Sequence, residues 1–291
     1  MEQQSPSPSP VSFDLHNPHE MAKIAEAAMT AKAKRPFGTA FLGAIFGGFF
    51  IALAFVFFTL VTTGSGAMPY GMAKLVGGIC FSMGLMLVVL CGSDLFTSTT
   101  MTVIAKASKK ITWWELIKNW LTVYFGNFAG ALLLVAIIYA SGHPWDANGS
   151  IALNYLNIAQ HKIHHTFIEA VALGIMCNVM VCLGVWLAFS GRSTTDKILA
   201  VILPVAMFVA CGFEHCVANM YEIPMGILLQ TTASPDFWAA QGVEAAKYGD
   251  LNLADFLLHN LLPVTIGNII GGGLLVGMGN WLLFLRPGAR R

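Results

Sequence analysis

Two short polar segments interrupt apolar stretches that are each long enough to cross a bilayer. They are Cys91-Gly92-Ser93-Asp94-Leu95-Phe96-Thr97-Ser98 and Cys211-Gly212-Phe213-Glu214-His215-Cys216-Val217-Ala218-Asn219. Hydrocarbon offers no hydrogen-bond partner to exposed backbone or to charge. Irregular polar backbone at membrane depth therefore survives only when it is buried in protein or lines a cavity. A matched pair of interrupted helices in the two halves of one chain is the strongest sequence pointer to a permeation site.

Composition agrees with a membrane protein. The 291 residues are 56% hydrophobic and 11% charged, against roughly a quarter charged in a soluble domain. A net charge of +1 leaves no footprint for nucleic acid. The six cysteines (80, 91, 177, 182, 211, 216) lie in apolar segments without zinc-site spacing and read as reduced small hydrophobes. No cofactor, metal site or catalytic nucleophile–base pair is expected. Residues 1–12 are Ser-Pro repeats that build no core, and no signal peptide is visible.

The expected organisation is a cytoplasmic tail and interfacial helix over 1–35, one transmembrane domain over 36–286, and a cytoplasmic tail over 287–291. Met21, Ile24, Ala25 and Ala28 give 18–35 the spacing of an amphipathic helix lying at the membrane surface. Membrane segments are expected at 37–62, 70–107 with its break, 112–141, 163–190, 194–230 with its break, and 255–285. Each continuous one exceeds the ~20 residues that span the hydrocarbon core. With the N-terminus inside, all of the 16 Lys and Arg except Lys74, Lys162 and Lys247 fall on the cytoplasmic side. That bias sets both termini inside.

The two halves repeat, repeat one covering about 36–141 and repeat two about 163–286. Residues 118–135 align without gaps to 259–276, with Asn119/Asn260, Gly126/Gly267, Asn127/Asn268 and Gly130/Gly271 among the identities. The breaks align as well, Cys91-Gly92 with Cys211-Gly212. Three crossings per copy invert the second, so the fold class is all-α, a polytopic membrane protein of two inverted three-helix repeats with two broken helices. Both half-helices restart at the centre, near Ser98 and near Cys216, with Ser98 and Thr99 as the cap residues of the first. Two helix N-termini facing one point favour a small anion.

His215 lies in the second break and carries the one side chain at this depth that titrates near neutrality. It is either a buried neutral group satisfying broken backbone or a ligand to the anion. Thr97 in the facing break is either a helix cap or a ligand contact. Glu214 orients His215 or ties the break to a neighbour, and Asp94 reads as a structural buried acid. Asn178, mid-span among apolar residues, needs a partner or a cavity.

The stretches MAKLVGGICFSMGL…CGSDLFTST, KNW…VYFGN, GFEHCVANM and PVTIGNIIGGGLLVG resemble the signatures of the formate/nitrite transporter family, closest to its bacterial formate channels. The resemblance covers almost all of 20–285. It implies an aquaporin-like homopentamer in the bacterial inner membrane, each protomer with its own pore, contacting membrane lipid and formate or a similar small anion. It places the family's central His on His215, the break Thr on Thr97 and the adjacent acid on Glu214. Its constriction residues fall on Leu85, Leu95, Phe81 and Phe208, with Val181 nearby. Its pore-facing amides fall on Asn178 and Asn268, and a vestibule lysine on Lys162. The Ser-Pro tail and the loop SGHPWDANGS depart from the pattern.

The expected function is passage of formate, with His215 holding the anion or handing it a proton so that formic acid crosses the apolar gate. The N-terminal helix is the expected gate at the cytoplasmic mouth. Nitrite or hydrosulfide would fit the same pore residues. A neutral-solute pore of aquaporin type lacks its Asn-Pro-Ala signature here, and a haem oxidoreductase lacks paired axial ligands.

Overall fold

The computed structural model describes residues 14–288, all helices and connecting turns. The Ser-Pro segment 1–12 lies outside the described residues, as do 289–291. In chain order the helices are α1 (Pro18–Ala33), α2 (Phe37–Thr62), α3 (Tyr70–Cys91), α4 (96–107), α5 (Trp113–Ala140), α6 (Ser150–Ile163), α7 (Phe167–Ala188), α8 (Thr194–Ala210), α9 (Cys216–Thr232), α10 (Pro235–Gln241) and α11 (253–285). All six expected membrane segments are present. Among the described residues five helices are long and apolar enough to cross a membrane singly. The remaining crossing is the broken pair α8 and α9, of 17 residues each.

Local chemistry sets many of the ends. Asn17 with Glu20, Thr112 with Glu115, Thr166 with Glu169 and Ser193 with Asp196 form capping boxes at α1, α5, α7 and α8. Gly92 and Gly212 end α3 and α8 in the left-handed region, at φ +73° and +70°, which glycine reaches without a Cβ penalty. Pro204 lies inside α8 and Pro224 inside α9.

The packing repeats in the two halves. α2 packs on α3 and α5, and α7 packs on α8 and α11. A Cβ added to Gly130 would meet the Ile45 carbonyl oxygen at 1.9 Å, and one on Gly271 would meet that of Ile175 at 2.2 Å. Small residues therefore let the backbones touch at the matching crossing in each half.

The 141–163 region differs from the loop expected there, because α6 occupies 150–163. It buries Ile151, Ala152, Tyr155, Leu156, Ala159 and Ile163. α1 buries Met21, Ala22, Ala25, Met29 and Ala33, the same positions 130 residues earlier apart from Leu156. Asn119 Nδ2 donates to the Lys32 carbonyl at the end of α1, and Asn260 Nδ2 to the Lys162 carbonyl at the end of α6. The repeat therefore extends outward to include a surface helix in each half. α1 rests on α4, the start of α5 and the end of α11, with His19 edge-on to Phe284.

Candidate permeation site

Both breaks are built the same way. After Gly92 the chain turns through Ser93, whose N–H donates to Val88 O, and the Asp94 N–H donates to Gly43 O at 3.1 Å. After Gly212, Phe213 N–H donates to Phe208 O and the Glu214 N–H to Leu173 O at 3.3 Å. A distant asparagine then closes each break. Asn127 Oδ1 accepts the Phe96 N–H at 2.7 Å, while its Nδ2 donates to Ala44 O and Asp94 O at 2.7 and 2.8 Å. Asn268 Oδ1 accepts the Cys216 N–H at 3.0 Å, while its Nδ2 donates to Gly174 O and Glu214 O at 2.7 and 3.0 Å. Buried backbone without water must find a partner, and one amide supplies three.

This arrangement corrects two expectations. The first restart is capped by Asn127, with Leu95 at the N-cap position. Ser98 and Thr99 lie inside the helix, and Ser98 Oγ donates to Leu95 O. The foremost N–H groups of the two restarts are thus already taken and do not await an anion. Asn178 and Asn268 are held by hydrogen bonds inside the protein. Both are fully buried, and Asn178 Nδ2 donates to Thr97 O, Thr100 Oγ1 and Asn268 O.

Each break carries one buried acid held by cations from its own surface helix. Asp94 is 3.1 Å from Lys32 Nζ and 2.5 Å from Arg35 Nη1. Glu214 is 2.9 Å from Lys162 Nζ, and its other oxygen accepts from Asn219 Nδ2 at 2.6 Å and Asn260 Nδ2 at 3.2 Å. His165 Nε2 stands 3.9 Å from Glu214. Asp94 and Glu214 each tie a break to its neighbouring helix, and Lys162 reaches the second break from the end of α6.

The breaks meet where Thr97 Oγ1 lies 3.1 Å from His215 Nε2, with both residues buried. On its other side the ring is fixed, because His215 Nδ1 accepts the Ala218 N–H at 3.1 Å and so caps α9. An Nδ1 that accepts leaves the proton of a neutral imidazole on Nε2, directed at Thr97. A second proton on Nδ1 would set N–H against N–H and undo the cap.

Around this contact the chain narrows. Ile51, Phe81, Leu85, Leu95, Val181, Val205, Phe208 and His215 enclose a cavity of about 10 Å³, room for one water at most. All five apolar side chains expected at a constriction are brought together here. Ile51 and Val205 join them, and nothing in the sequence sets these two apart from ordinary core residues. Phe208 lies parallel to the His215 ring at 5.9 Å and edge-on to Phe81 at 5.8 Å. Phe81, Phe208 and His215 also form the floor of a cavity of about 380 Å³ whose walls include Lys74, His161, Lys162, His165 and Glu214. Cys91 and Gly92 are exposed, as are Cys211 and Gly212, so the constriction separates two accessible regions.

A six-crossing inverted repeat with a dry constriction between two broken helices defines a channel or transporter scaffold. The formate/nitrite transporter family model matches residues 19–282, and the chain belongs to that family. It is 59% identical to the formate channel FocA of Escherichia coli strain K12, over 94% of this chain and 96% of the relative. It is 50% identical to the formate channel FocA of Haemophilus influenzae, over 90% of this chain and 92% of the relative. A solved pentameric formate channel with formate bound superposes with a TM-score of 0.82 at 53% identity, covering 86% of this chain and 98% of that one. Both of these relatives are named as formate channels.

Proposed function

We propose that this chain conducts formate and related small monovalent anions across the bacterial inner membrane as a homopentamer, with both termini cytoplasmic and with no enzymatic activity. The observation that carries this reading is a constriction of about 10 Å³ whose walls are apolar except for one imidazole. An anion entering it leaves its water behind. The compensating groups within reach are the Nε2–H of His215 and the hydroxyl of Thr97. The named activity of the FocA relatives and the formate-bound pentamer support the substrate and the assembly. The Lys and Arg distribution supports the orientation.

His215 then acts in one of two ways. As an Nε2–H donor it holds formate while the anion passes. As a proton donor it must first gain a proton at Nδ1, releasing the Ala218 N–H, and then deliver a proton to formate from Nε2. From an ordinary imidazole (pKa ~6.5) to an acid of pKa ~4 this is uphill by about 3.5 kcal/mol in water. A dry site penalises the ion pair and favours the two neutral products. Charge per formate separates the two modes, being one net charge in the first and less in the second.

The test is current through purified protein in planar bilayers, with formate, nitrite, hydrosulfide and chloride compared across pH and glycerol uptake followed in liposomes. Formate passes faster than chloride, and glycerol passes poorly. Glycerol entry as fast as formate entry would replace this reading with a neutral-solute pore.

A further inference from the structure

The 380 Å³ cavity above His215 carries more positive charge than the permeation site uses. The charge of Lys162 is answered by Glu214 at 2.9 Å. Lys74, reaching the same cavity from α3, has no carboxylate within ion-pair distance among the described residues, and its ammonium sits 5.6 Å from the Tyr70 ring centre. Two imidazoles complete this wall, those of His161 on α6 and His165 at the α6–α7 turn, with ring centres 5.1 Å apart. His165 Nε2 is buried without a hydrogen-bond partner, and Glu214 Oε1 is 3.9 Å away.

We propose that Lys74, His161 and His165 form an outer anion-binding site, distinct from the His215–Thr97 contact, that collects small monovalent anions at the mouth and strengthens as the outer medium turns acid. This rests on the channel reading above and adds to it a loading step before the constriction. Lys74 supplies an ammonium, and the imidazole pair supplies donors, with a charge on His161 that appears on protonation. Burial, followed by the neighbouring His165 and Lys162, holds His161 below the ordinary imidazole range, while Glu214 opposes the shift. His161 is therefore neutral at pH 7 and gains charge only as the pH falls well below neutrality.

The other charged groups around the wall do not cancel this change. Glu214 is paired with Lys162, and Asp250 is paired with His164, which points out of the cavity wall. Lys247 stands 3.4 Å from Asn157 Oδ1 and adds to the positive side. His215, on the floor, is screened by its own hydrogen bonds to Thr97 and Ala218. A cavity lined by one sign of charge between low-dielectric walls concentrates the opposite ion at its mouth.

The experiment measures formate current against formate concentration on the outer face, with outer pH moved between about 7.5 and about 5.5, either side of the ordinary imidazole pKa, and inner pH fixed. Formate stays almost wholly ionised throughout, since its pKa is ~4. In the wild type the half-saturating concentration falls about threefold or more on acidification, and less at high salt. The double variant His161→Gln/His165→Gln loses that fall. His161→Arg holds the half-saturating concentration low at both pH values. Lys74→Met raises it at both, and this arm decides the matter if the double variant does not assemble. The maximal current changes less than the half-saturating concentration in each case.

A double variant that keeps the wild-type pH shift, a wild type with none, or Lys74→Met with wild-type half-saturation overturns the outer site and leaves the channel intact. Absence of any formate current in the wild type overturns the channel reading, and the outer site with it.

Discussion

The two breaks are copies of one scaffold whose side chains diverge at their centre. Asp94 and Glu214, Asn127 and Asn268, Gly92 and Gly212, and the cations of α1 and α6 occupy matching places with matching hydrogen bonds. At the N-cap position, however, the first break has Leu95 and the second has His215. Leu95 is fully buried and closes the constriction with hydrocarbon. His215 caps its own helix with Nδ1 and presents Nε2 to Thr97. The shared parts hold backbone that lipid cannot, and His215 brings a hydrogen-bond donor to the narrowest point. We propose that function sits where the symmetry fails.

If this division holds, damage to the shared parts costs stability about equally in both halves. The largest effect is expected at the two asparagines. Asn127→Ala and Asn268→Ala each strand three buried backbone groups, and each should cost about 3 kcal/mol or more. Thermal unfolding of purified protein in detergent measures this. A loss at one asparagine and none at the other would mean that the halves are not equivalent scaffolds.

The acids sharpen the comparison, because they are paired alike but exposed differently. Lys162 has 12% of its side-chain surface exposed, against 21% and 30% for Lys32 and Arg35. Removing an acid strands its cation, and water relieves the exposed one more readily. Glu214→Gln should cost about 3 kcal/mol and Asp94→Asn about 1–2 kcal/mol, read in the same unfolding assay. The reverse order would show that α1 is held more tightly than α6, against the expectation that α1 moves at the cytoplasmic mouth.

The smallest effect belongs to the glycines. A Cβ on Gly92 or Gly212 meets no atom within 4 Å, so alanine pays only for the left-handed backbone, about 1–2 kcal/mol at either site. A much larger loss at one of them would reveal a close approach that the other lacks.

Most of the fold was legible because its signals are local and strong. The six apolar stretches, the Gly92 and Gly212 stops and the repeat across Asn127 and Asn268 all lie in the sequence. The role of those asparagines did not, since each acts on backbone 31 and 52 residues away and chain order carries no trace of that contact. Local rules favoured Ser98 and Thr99 as caps and missed the distant amide. Asn178 needed a partner or a cavity, and backbone of the facing break at Thr97 is a partner that chain order does not show. α6 was overlooked because 14 residues without a long apolar run resemble a loop, although Ile151, Tyr155, Ala159 and Ile163 repeat the period of α1. Of the constriction, the five expected side chains came from resemblance to known channels. Ile51 and Val205 carry no signal that separates a pore wall from a core.

The most direct test of the asymmetry is the pH profile of formate flux into liposomes for the wild type and for His215→Asn, with assembly verified for both. Asparagine can still accept the Ala218 N–H and face Thr97, so it preserves the shared scaffold while removing the titrating ring. At saturating formate, where outer loading does not limit, the wild-type flux should rise as the pH falls, and the variant should keep a flat profile with slower transport. A variant that retains the wild-type profile would contradict the claim that His215, at the point where the two breaks diverge, provides the chemistry of transport.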